Sequence, residues 1–128
     1  MTPTITLVRL SGAADRAERP LLVLGPSLGT SATSLWTACA AAGLTDRFDV
    51  VAWDLPGHGH NHAVPDEPVT MADLAAGVLR VLDDVQEQRG DYRGPFFYAG
   101  DSVGAAVGLE LMLAAPQRVA LFETLTIG

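Results

Sequence analysis

The sequence predicts an α/β fold with a mostly parallel sheet and flanking helices. Strand-like and helix-like segments alternate along the 128 residues, which is the order that repeated βαβ units produce. Two strand-like segments, at residues 21–24 and 48–53, are largely apolar runs, as expected for parallel strands covered on both faces. A glycine-rich turn at residues 100–104 falls between a strand pattern and a helix pattern, which is a further mark of a βα unit.

The first two strands are expected to be covered differently. Residues 4–10 alternate polar and apolar side chains, several of them β-branched, which indicates an edge or half-buried strand. Residues 11–20 are polar and contain a glycine and a proline, so we expect a loop or hairpin there. The wholly apolar run at 21–24 predicts a buried strand, and the sharp turn at 25–29 ends it.

The middle of the chain predicts a helix, a strand and a long loop. Ser34 is placed to cap a short helix over residues 34–42, which Gly43 stops. A buried strand is expected at 48–53 because its residues are mainly apolar or β-branched. The loop expected over 54–68 contains three prolines and two glycines.

The last third of the chain predicts two helices and two strands. Apolar side chains recur every three or four residues over 71–89, which indicates an amphipathic helix that Thr70 caps and that residues 90–94 break. A strand at 96–99 precedes a helix of small residues over 104–115, and Pro116 ends that helix. A further apolar strand is expected at 120–127.

Composition and charge narrow the classes of partner. With 128 residues, 48% of them hydrophobic and 18% charged, the chain has the size and makeup of one globular domain. Its net charge of −7 argues against nucleic acid and anionic membranes, whose phosphates it would repel. The single cysteine, Cys39, allows no intrachain disulfide. Because neither a signal-peptide pattern nor a membrane-spanning apolar run occurs, we expect a cytoplasmic protein without a membrane partner.

A serine flanked by glycines is the main candidate for chemistry. Ser102 stands between Gly100 and Gly104, after an expected strand and before an expected helix. In this context the pattern G-x-S-x-G indicates a nucleophile elbow, in which small residues permit a tight turn and the serine hydroxyl stands clear of the sheet. The N-terminus of the following helix would favour developing negative charge. A loop that is merely rich in glycine is the alternative interpretation.

Further residues complete the candidate site. An oxyanion hole of this kind needs two backbone N–H groups, which we assign to Val103 and to Leu28 in the turn after the strand at 21–24. A simple βα turn is the alternative interpretation around Leu28. Asp101 and Trp36 are candidates for the wall of the substrate pocket, although Trp36 is equally compatible with a place in the core.

Three segments resemble the N-terminal half of an α/β-hydrolase, namely "LVLGPSLGTSATSLW", "FDVVAWDLPGHGHN" and "YAGDSVGAAVGLELMLAAPQRV". The family's D-x-x-G-H-G loop is matched in the second segment, with Asn61 where a small hydroxyl is usual; the matching residues are Asp54, Gly57, His58 and Gly59. The turn "PSLGTS" is similar to that of β-ketoadipate (3-oxoadipate) enol-lactonases. The resemblance implies an incomplete α/β-hydrolase fold with three α/β/α layers, in which residues 1–128 form the N-terminal portion of a single domain.

The resemblance also implies a reaction. Ser102 would hydrolyse a small-molecule carboxylic ester or lactone without a metal or an organic cofactor. The most specific expectation is hydrolysis of 3-oxoadipate enol-lactone in the breakdown of aromatic compounds. A general esterase or haloperoxidase-like relative is the alternative among enzymes, and a non-catalytic assembly module that retains the scaffold is the alternative outside them.

The partners of a catalytic serine do not follow Ser102 in the sequence. Enzymes of this fold use the chain order serine, acid, histidine. The only later acids are Glu110, expected on a helix, and Glu123, expected within a strand. His58 could act as a base only if its loop bent across to the serine. The same loop contains every histidine of the chain, without an acidic or cysteine partner at a spacing suited to a metal: His58, His60 and His62.

Because no acid and histidine follow Ser102 at suitable positions, the domain is expected to be incomplete. We expect this chain to lack the lid and the C-terminal catalytic part, and to be inactive by itself. The apolar strand at 120–127 would then leave an open sheet edge with unpaired backbone groups. Such an edge favours a homo-oligomer or a complementing C-terminal half as the partner.

Overall fold

The computed structural model describes residues 2–10, 18–26, 43, 45–59, 61–62 and 68–124. The helix predicted at 34–42 lies outside these ranges, as do the last residues of the strand predicted at 120–127. The described strands are β1 (Thr6–Arg9), β2 (Leu21–Gly25), β3 (Asp49–Asp54), β4 (Phe96–Gly100) and β5 (Val119–Thr124). The described helices are α1 (Thr45–Arg47), α2 (Met71–Arg89) and α3 (Val103–Ala114).

The five strands form one sheet in the order β1-β3-β2-β4-β5. β1 runs antiparallel to β3, whereas every other neighbouring pair is parallel. The mostly parallel α/β fold predicted from the sequence is therefore confirmed. β2 lies at the centre, and its last residue, Gly25, is paired with Gly100 at the end of β4. This register brings the turns that follow β2 and β4 to the same edge of the sheet.

Two apolar cores cover the two faces of the sheet. All of β2 and β3 is buried, as expected for central parallel strands. One face packs against α2 and α3 through Val23, Val51, Trp53, Tyr98, Leu74, Val78, Leu82, Val107 and Leu111. The opposite face has its own core of Leu22, Leu24, Val50, Ala52 and Ala99. Side chains of successive strand residues alternate between these cores because the strand repeat is two residues.

The helix α2 has the bounds that its sequence predicts. Thr70 and Asp73 form a capping box in which each side chain bonds the other residue's backbone N–H, at 3.0 Å in both directions. Gly90 ends the helix in the left-handed conformation, with φ of 92°, and its N–H donates to the carbonyls of Gln86 and Glu87. None of the helices in the described ranges is both long and apolar enough to cross a lipid bilayer.

The outer strands differ in length from their predictions. β1 is shorter than the predicted 4–10, because the Thr4 carbonyl accepts a hydrogen bond from the Asn61 side chain at 2.8 Å instead of joining the ladder. β5 begins one residue earlier than predicted, where Val119 pairs with Phe96. The short helix α1 was not predicted, because three residues carry too little periodic pattern to identify.

A buried ionic cluster joins β1, β3 and α2 at the amino end of β3, the edge of the sheet opposite to Ser102. Asp49 is fully buried and accepts two hydrogen bonds from Arg9, at 2.9 and 2.7 Å. It also accepts one from Arg89 at 2.8 Å. Burial opposes the charge of Arg89, but its hydrogen bonds to Asp91 and Asp49 outweigh that effect and raise the pKa of this guanidinium.

Candidate active site

Ser102 lies in the turn between β4 and α3 with an unusual backbone conformation. Its φ is 53° and its ψ is −113°, a combination that residues other than glycine rarely adopt and that costs about 1–3 kcal/mol. The residue is exposed, and its carbonyl accepts a hydrogen bond from the Ala106 N–H at 3.1 Å. The sequence predicted this sharp turn with an exposed serine.

Glycines surround Ser102 because three backbone segments meet there. A Cβ atom built on Gly100 would lie 2.5 Å from the carbonyl carbon of Gly104. A Cβ atom built on Gly104 would lie 2.5 Å from the carbonyl carbon of Gly25. Side-chain carbons do not approach backbone atoms this closely, so only glycine fits at either position. Close packing of α3 on β2 and β4, rather than a left-handed backbone, requires these two glycines.

The first turn of α3 is bonded to the turn that follows β2. The Gly104 N–H donates to the Pro26 carbonyl at 2.7 Å and to the Asp101 carbonyl at 2.9 Å. Pro26 begins the segment in which the sequence predicts the second oxyanion donor. The hydrogen bond therefore fixes the start of that segment beside Ser102.

The backbone N–H of Val103, one of the two predicted oxyanion donors, starts α3. Within the described ranges this N–H forms no hydrogen bond, because the first N–H groups of a helix have no partner inside the helix. The partial positive charge of a helix N-terminus favours an anionic atom at this position. The other predicted donor, Leu28, and the predicted pocket residue Trp36 lie outside the described residues.

Beneath this turn, a buried tyrosine connects the sheet to the helix. The Tyr98 hydroxyl accepts a hydrogen bond from the Trp53 Nε1–H at 3.1 Å and donates one to the Gly104 carbonyl at 2.7 Å. Burial raises the pKa of the Tyr98 hydroxyl well above its ordinary value of 10.0, and the hydrogen bond from Trp53 opposes this only in part. The hydroxyl is therefore protonated and is held in place as a donor to Gly104.

An apolar pocket of about 370 Å³ lies between the N-terminal ends of α2 and α3. It is lined by Leu55, Pro56, His58, Val69, Met71, Leu74 and Val103. Its size is within the range of small-molecule sites, which combine apolar walls with a few polar groups. His58 provides the titratable side chain of this lining, and Val103 joins the pocket to the serine turn.

The loop after β3 is held by its own polar side chains. The His58 Nδ1 lies 3.0 Å from the Pro56 carbonyl, and since a carbonyl only accepts, Nδ1 carries the proton. Asn61 is buried, and its side-chain amide donates to the carbonyls of Thr4 and Asp54 at 2.8 and 3.2 Å. Gly59 lies against the Asp54 carboxylate, where a Cβ atom would be 2.6 Å from Oδ1. These contacts give the loop a defined shape.

The acidic candidate residues lie in the serine turn, on α3 and on β5. Asp101 is half-buried directly before Ser102, and its carbonyl accepts from Gly104. Glu110 is half-buried on α3 and Glu123 is exposed on β5, so both lie on the elements that the sequence predicted for them. Among the described residues, no group of three or more histidine, cysteine, aspartate or glutamate side chains could hold a metal ion.

Sequence reasoning missed the roles of Tyr98, Trp53 and Pro26. Their contacts join residues far apart in the chain: Trp53 and Tyr98, for example, are 45 positions apart. One signal was present, since a tyrosine within a strand covered on both faces needs a hydrogen-bond partner when it is buried. The sequence alone does not identify that partner.

The comparisons with known proteins agree with this geometry. Residues 40–122 match the family model Hydrolase_4, described as "Serine aminopeptidase, S33". The solved enol-lactonase from Burkholderia xenovorans LB400 superposes with a TM-score of 0.77 and 28% identity, over 92% of this chain and 41% of that chain. A hydrolase from Pseudomonas aeruginosa PA01 superposes with a TM-score of 0.73 and 35% identity, over 97% of this chain and 43% of that chain.

Two curated relatives of similar identity to this chain are named for different reactions. RutD of Variovorax paradoxus, provisionally named a carbamate hydrolase, is 33% identical over 104 residues, which are 81% of this chain and 36% of that protein. The 3-oxoadipate enol-lactonase 2 of Acinetobacter baylyi is 30% identical over 103 residues, which are 80% of this chain and 35% of that protein. The chain thus spans little more than a third of the length of these relatives.

The strand order, the glycine-flanked serine and these matches define the class as the α/β-hydrolases. Within that class the chain belongs to the Hydrolase_4 family. The resemblance inferred from the sequence is therefore confirmed, including its similarity to enol-lactonases. Relatives named for carbamate hydrolysis are about as similar to this chain.

Proposed function

We propose that Ser102 is the nucleophile of a serine hydrolase that cleaves a carboxylic ester or lactone. The observation that carries this proposal is the backbone of Ser102, whose φ of 53° holds an exposed hydroxyl at a strand-to-helix turn. A conformation that costs free energy persists only where the surrounding structure enforces it, and such residues cluster at active sites. Membership in a family of hydrolases supports the same conclusion.

The proposed reaction uses the groups around this turn. The Ser102 Oγ bonds to the carbonyl carbon while its proton passes to a base, and the carbonyl oxygen becomes an oxyanion. The N–H groups of Val103 and Leu28 are the proposed donors to that oxyanion. Collapse of the tetrahedral intermediate expels the alcohol oxygen, which takes the proton. Water then attacks the acyl-enzyme in the same way, releases the acid and restores the serine.

The base and its acidic partner belong, in this proposal, to parts of the whole protein that this chain does not include. The greater length of the relatives supports this division. Within the described residues, the His58 Nδ1 donates to the Pro56 carbonyl, which leaves Nε2 as the unprotonated nitrogen, and no hydrogen bond joins that nitrogen to Ser102. Glu110 lies in the middle of α3, away from the carboxyl ends of the strands where catalytic loops gather. Glu123 is the next-to-last residue of β5 and pairs with Ala99, so it lies near that edge of the sheet, but a carboxylate there does not replace a histidine base.

For the substrate, we propose 3-oxoadipate enol-lactone, in the breakdown of aromatic compounds. The turn "PSLGTS" and the similarity to two enol-lactonases support this choice. The pocket beside Val103 has no arginine among its described lining residues, so the carboxylate of this lactone would need a cation from another part of the site. A carbamate is the second candidate, because relatives provisionally named carbamate hydrolases are equally similar.

An active-site-directed probe tests the nucleophile. We expect a fluorophosphonate to add one label to the whole protein in an intact-mass measurement, and Ser102→Ala to abolish the label. Thr70→Ala, which removes a hydroxyl from the cap of α2, should keep it. A label that persists in Ser102→Ala would contradict the proposal. Complete absence of labelling would instead favour a non-catalytic module that retains the scaffold.

The substrate is tested separately. Rates of hydrolysis for 3-oxoadipate enol-lactone, a short-chain methyl ester and a small carbamate are compared by pH-stat at equal concentration. We expect the enol-lactone to give the highest kcat/KM. A preference for the carbamate of tenfold or more, which is about 1.4 kcal/mol of transition-state binding, would replace the lactone assignment while leaving the role of Ser102 intact.

A further inference from the structure

The Tyr98 side chain contacts every element that meets at the serine turn. Its hydroxyl lies so close to Gly25 of β2 that a Cβ atom there would overlap it. Its oxygen accepts from Trp53 of β3, and its ring packs against Gly108 of α3, where a Cβ atom would be 2.8 Å from the ring. The hydroxyl therefore occupies the space that a glycine leaves open at the end of β2.

The hydrogen bond from Tyr98 reaches the residue that also bonds to the turn after β2. Gly104 is held through both of its backbone groups: its carbonyl accepts from the Tyr98 hydroxyl at 2.7 Å, and its N–H donates to the Pro26 carbonyl at 2.7 Å. Gly104 lies two residues after Ser102 and one after Val103. Any movement of Gly104 would therefore carry the nucleophile and the N–H of Val103 away from the segment that begins at Pro26.

We propose that Tyr98 is a positioning residue, which fixes Ser102 and the Val103 N–H relative to the turn that begins at Pro26, through the chain of hydrogen bonds from Trp53 to Gly104. This inference rests on the proposed function of Ser102. Tyr98 does not touch substrate and supplies no proton, because its hydroxyl is fully buried and both of its hydrogen bonds are made within the protein.

The geometry predicts a specific kinetic effect. Removing the hydroxyl deprives the Gly104 carbonyl of a donor and leaves the Trp53 N–H without its acceptor in a buried site. The first turn of α3 would then shift, and misplacement of catalytic groups by about 1 Å can lower the rate roughly 100-fold. Substrate binding in the pocket would change little, since Tyr98 is not among its lining residues.

The test compares Tyr98→Phe with Phe122→Leu in the whole protein. Phe122 packs against the Tyr98 ring, with centroids 5.9 Å apart, but makes no hydrogen bond to the turn. We expect Tyr98→Phe to lower kcat about 10- to 100-fold with KM within about twofold. Phe122→Leu should lower the melting temperature while kcat per folded molecule stays within about twofold. A Tyr98→Phe variant that loses only melting temperature, with kcat unchanged, would overturn the proposal.

A second measurement does not depend on catalysis. In a ¹H–¹⁵N spectrum, the indole N–H signal assigned by its loss in Trp53→Phe should move upfield in Tyr98→Phe, because its hydrogen bond is removed. Amide exchange at Gly104, whose N–H is bonded to the Pro26 carbonyl, should accelerate in Tyr98→Phe and stay unchanged in Phe122→Leu. If the wild type hydrolyses no substrate, the proposed function fails, yet accelerated exchange still supports positioning by Tyr98. Unchanged exchange and an unmoved indole signal would refute it.

Discussion

The Gly104 N–H donates a hydrogen bond of 2.7 Å to the Pro26 carbonyl, and this bond joins the helix after Ser102 to the turn after the central strand. The two backbones can come this close because neither Gly104 nor its neighbour Gly25 has a side chain. In the proposed hydrolase, the two N–H groups of the oxyanion hole come from the two segments that this bond connects. The separation of Gly104 from the backbone of Gly25 and Pro26 is therefore set by close packing, which a single methyl group would disturb.

Gly104→Ala is expected to disrupt this contact. The new Cβ would lie 2.5 Å from the carbonyl carbon of Gly25, and both backbones are anchored, so the helix must move. We expect the free energy of unfolding to fall by about 2–3 kcal/mol, and labelling of Ser102 by a fluorophosphonate to be lost. Urea denaturation followed by tryptophan fluorescence measures the first effect.

Gly57→Ala is the matched control for this substitution. Gly57 has a φ of 77°, but a Cβ atom there would meet nothing within 4 Å. An alanine in this left-handed conformation lowers the free energy of unfolding by about 1–2 kcal/mol. Labelling of Ser102 should persist because the serine turn is unchanged. Equal stability of Gly104→Ala and the wild type would show that the two backbones are not held as described.

Tyr98 also predicts how stability depends on alkaline pH. Burial raises the pKa of its hydroxyl in the folded protein, whereas in the unfolded chain it titrates near 10. Above pH 10 the unfolded chain releases a proton that the folded protein retains, so stability is complete below pH 10 and falls as the pH rises further. The expected slope is about 1.4 kcal/mol per pH unit.

The measurement compares urea unfolding of the wild type and Tyr98→Phe between pH 8 and pH 11. The phenylalanine variant should be less stable at pH 8, yet it should lack the additional loss that begins near pH 10. Tyr92 is exposed in both proteins and contributes equally to each. Parallel pH profiles for the two proteins would mean that the Tyr98 hydroxyl is accessible to solvent.

Elements whose determinants are local were predictable from the sequence, and contacts between distant residues were not. The bounds of α2 were predicted correctly because Thr70, Gly90 and the spacing of apolar residues all lie within one segment. The serine turn was predictable for the same reason. By contrast, Asp49 reads as an ordinary polar residue in the sequence, and only the fold brings Arg89 to it from 40 positions away. The pattern of neighbouring residues in the sequence cannot predict an ion pair between positions so far apart.

The ionic cluster of Asp49 is expected to be a major determinant of stability. Asp49→Asn keeps the shape of the side chain but leaves the guanidinium groups of Arg9 and Arg89 without the carboxylate between them. Removing one partner from a buried ionic group costs about 3–5 kcal/mol, which is the expected loss in the free energy of unfolding. Asp84→Asn, at an exposed position of α2, should change it by less than about 0.5 kcal/mol. A similar small loss for both variants would contradict this account of Asp49.

The capping box of α2 gives a smaller, separable prediction. Thr70→Ala removes the acceptor for the Asp73 N–H and should cost about 1 kcal/mol of stability, whereas Thr70→Ser should keep most of it. A hydrogen bond from the Thr70 backbone N–H, and after it one from the Thr70 hydroxyl, lower the pKa of Asp73 below its ordinary 3.8. Thr70→Ala keeps the backbone N–H, so this pKa should rise only part of the way to that value, which an NMR titration of the Asp73 carboxyl measures. An unchanged pKa in Thr70→Ala would show that the Thr70 side chain does not determine it.

The last prediction concerns the edge of the sheet. β5 ends the strand order, so within the described part of the chain its outer edge pairs with no strand. Large apolar side chains on β5 and on the helix packed against it are exposed to solvent: Leu121 of β5 is 52% exposed and Leu113 of α3 is 77% exposed. Unpaired strand edges and exposed apolar patches both favour association.

We therefore predict that the 128-residue chain alone forms a homo-oligomer, which sedimentation velocity would reveal as a species of at least twice the monomer mass of 13.4 kDa. Leu121→Lys places a charge on the edge strand and should shift the equilibrium toward the monomer, because charged side chains on an edge oppose strand pairing. Gln88→Lys, at an exposed position of α2, should leave the equilibrium unchanged. A wild-type chain that sediments as a monomer at micromolar concentration would rule out association through β5 at that concentration.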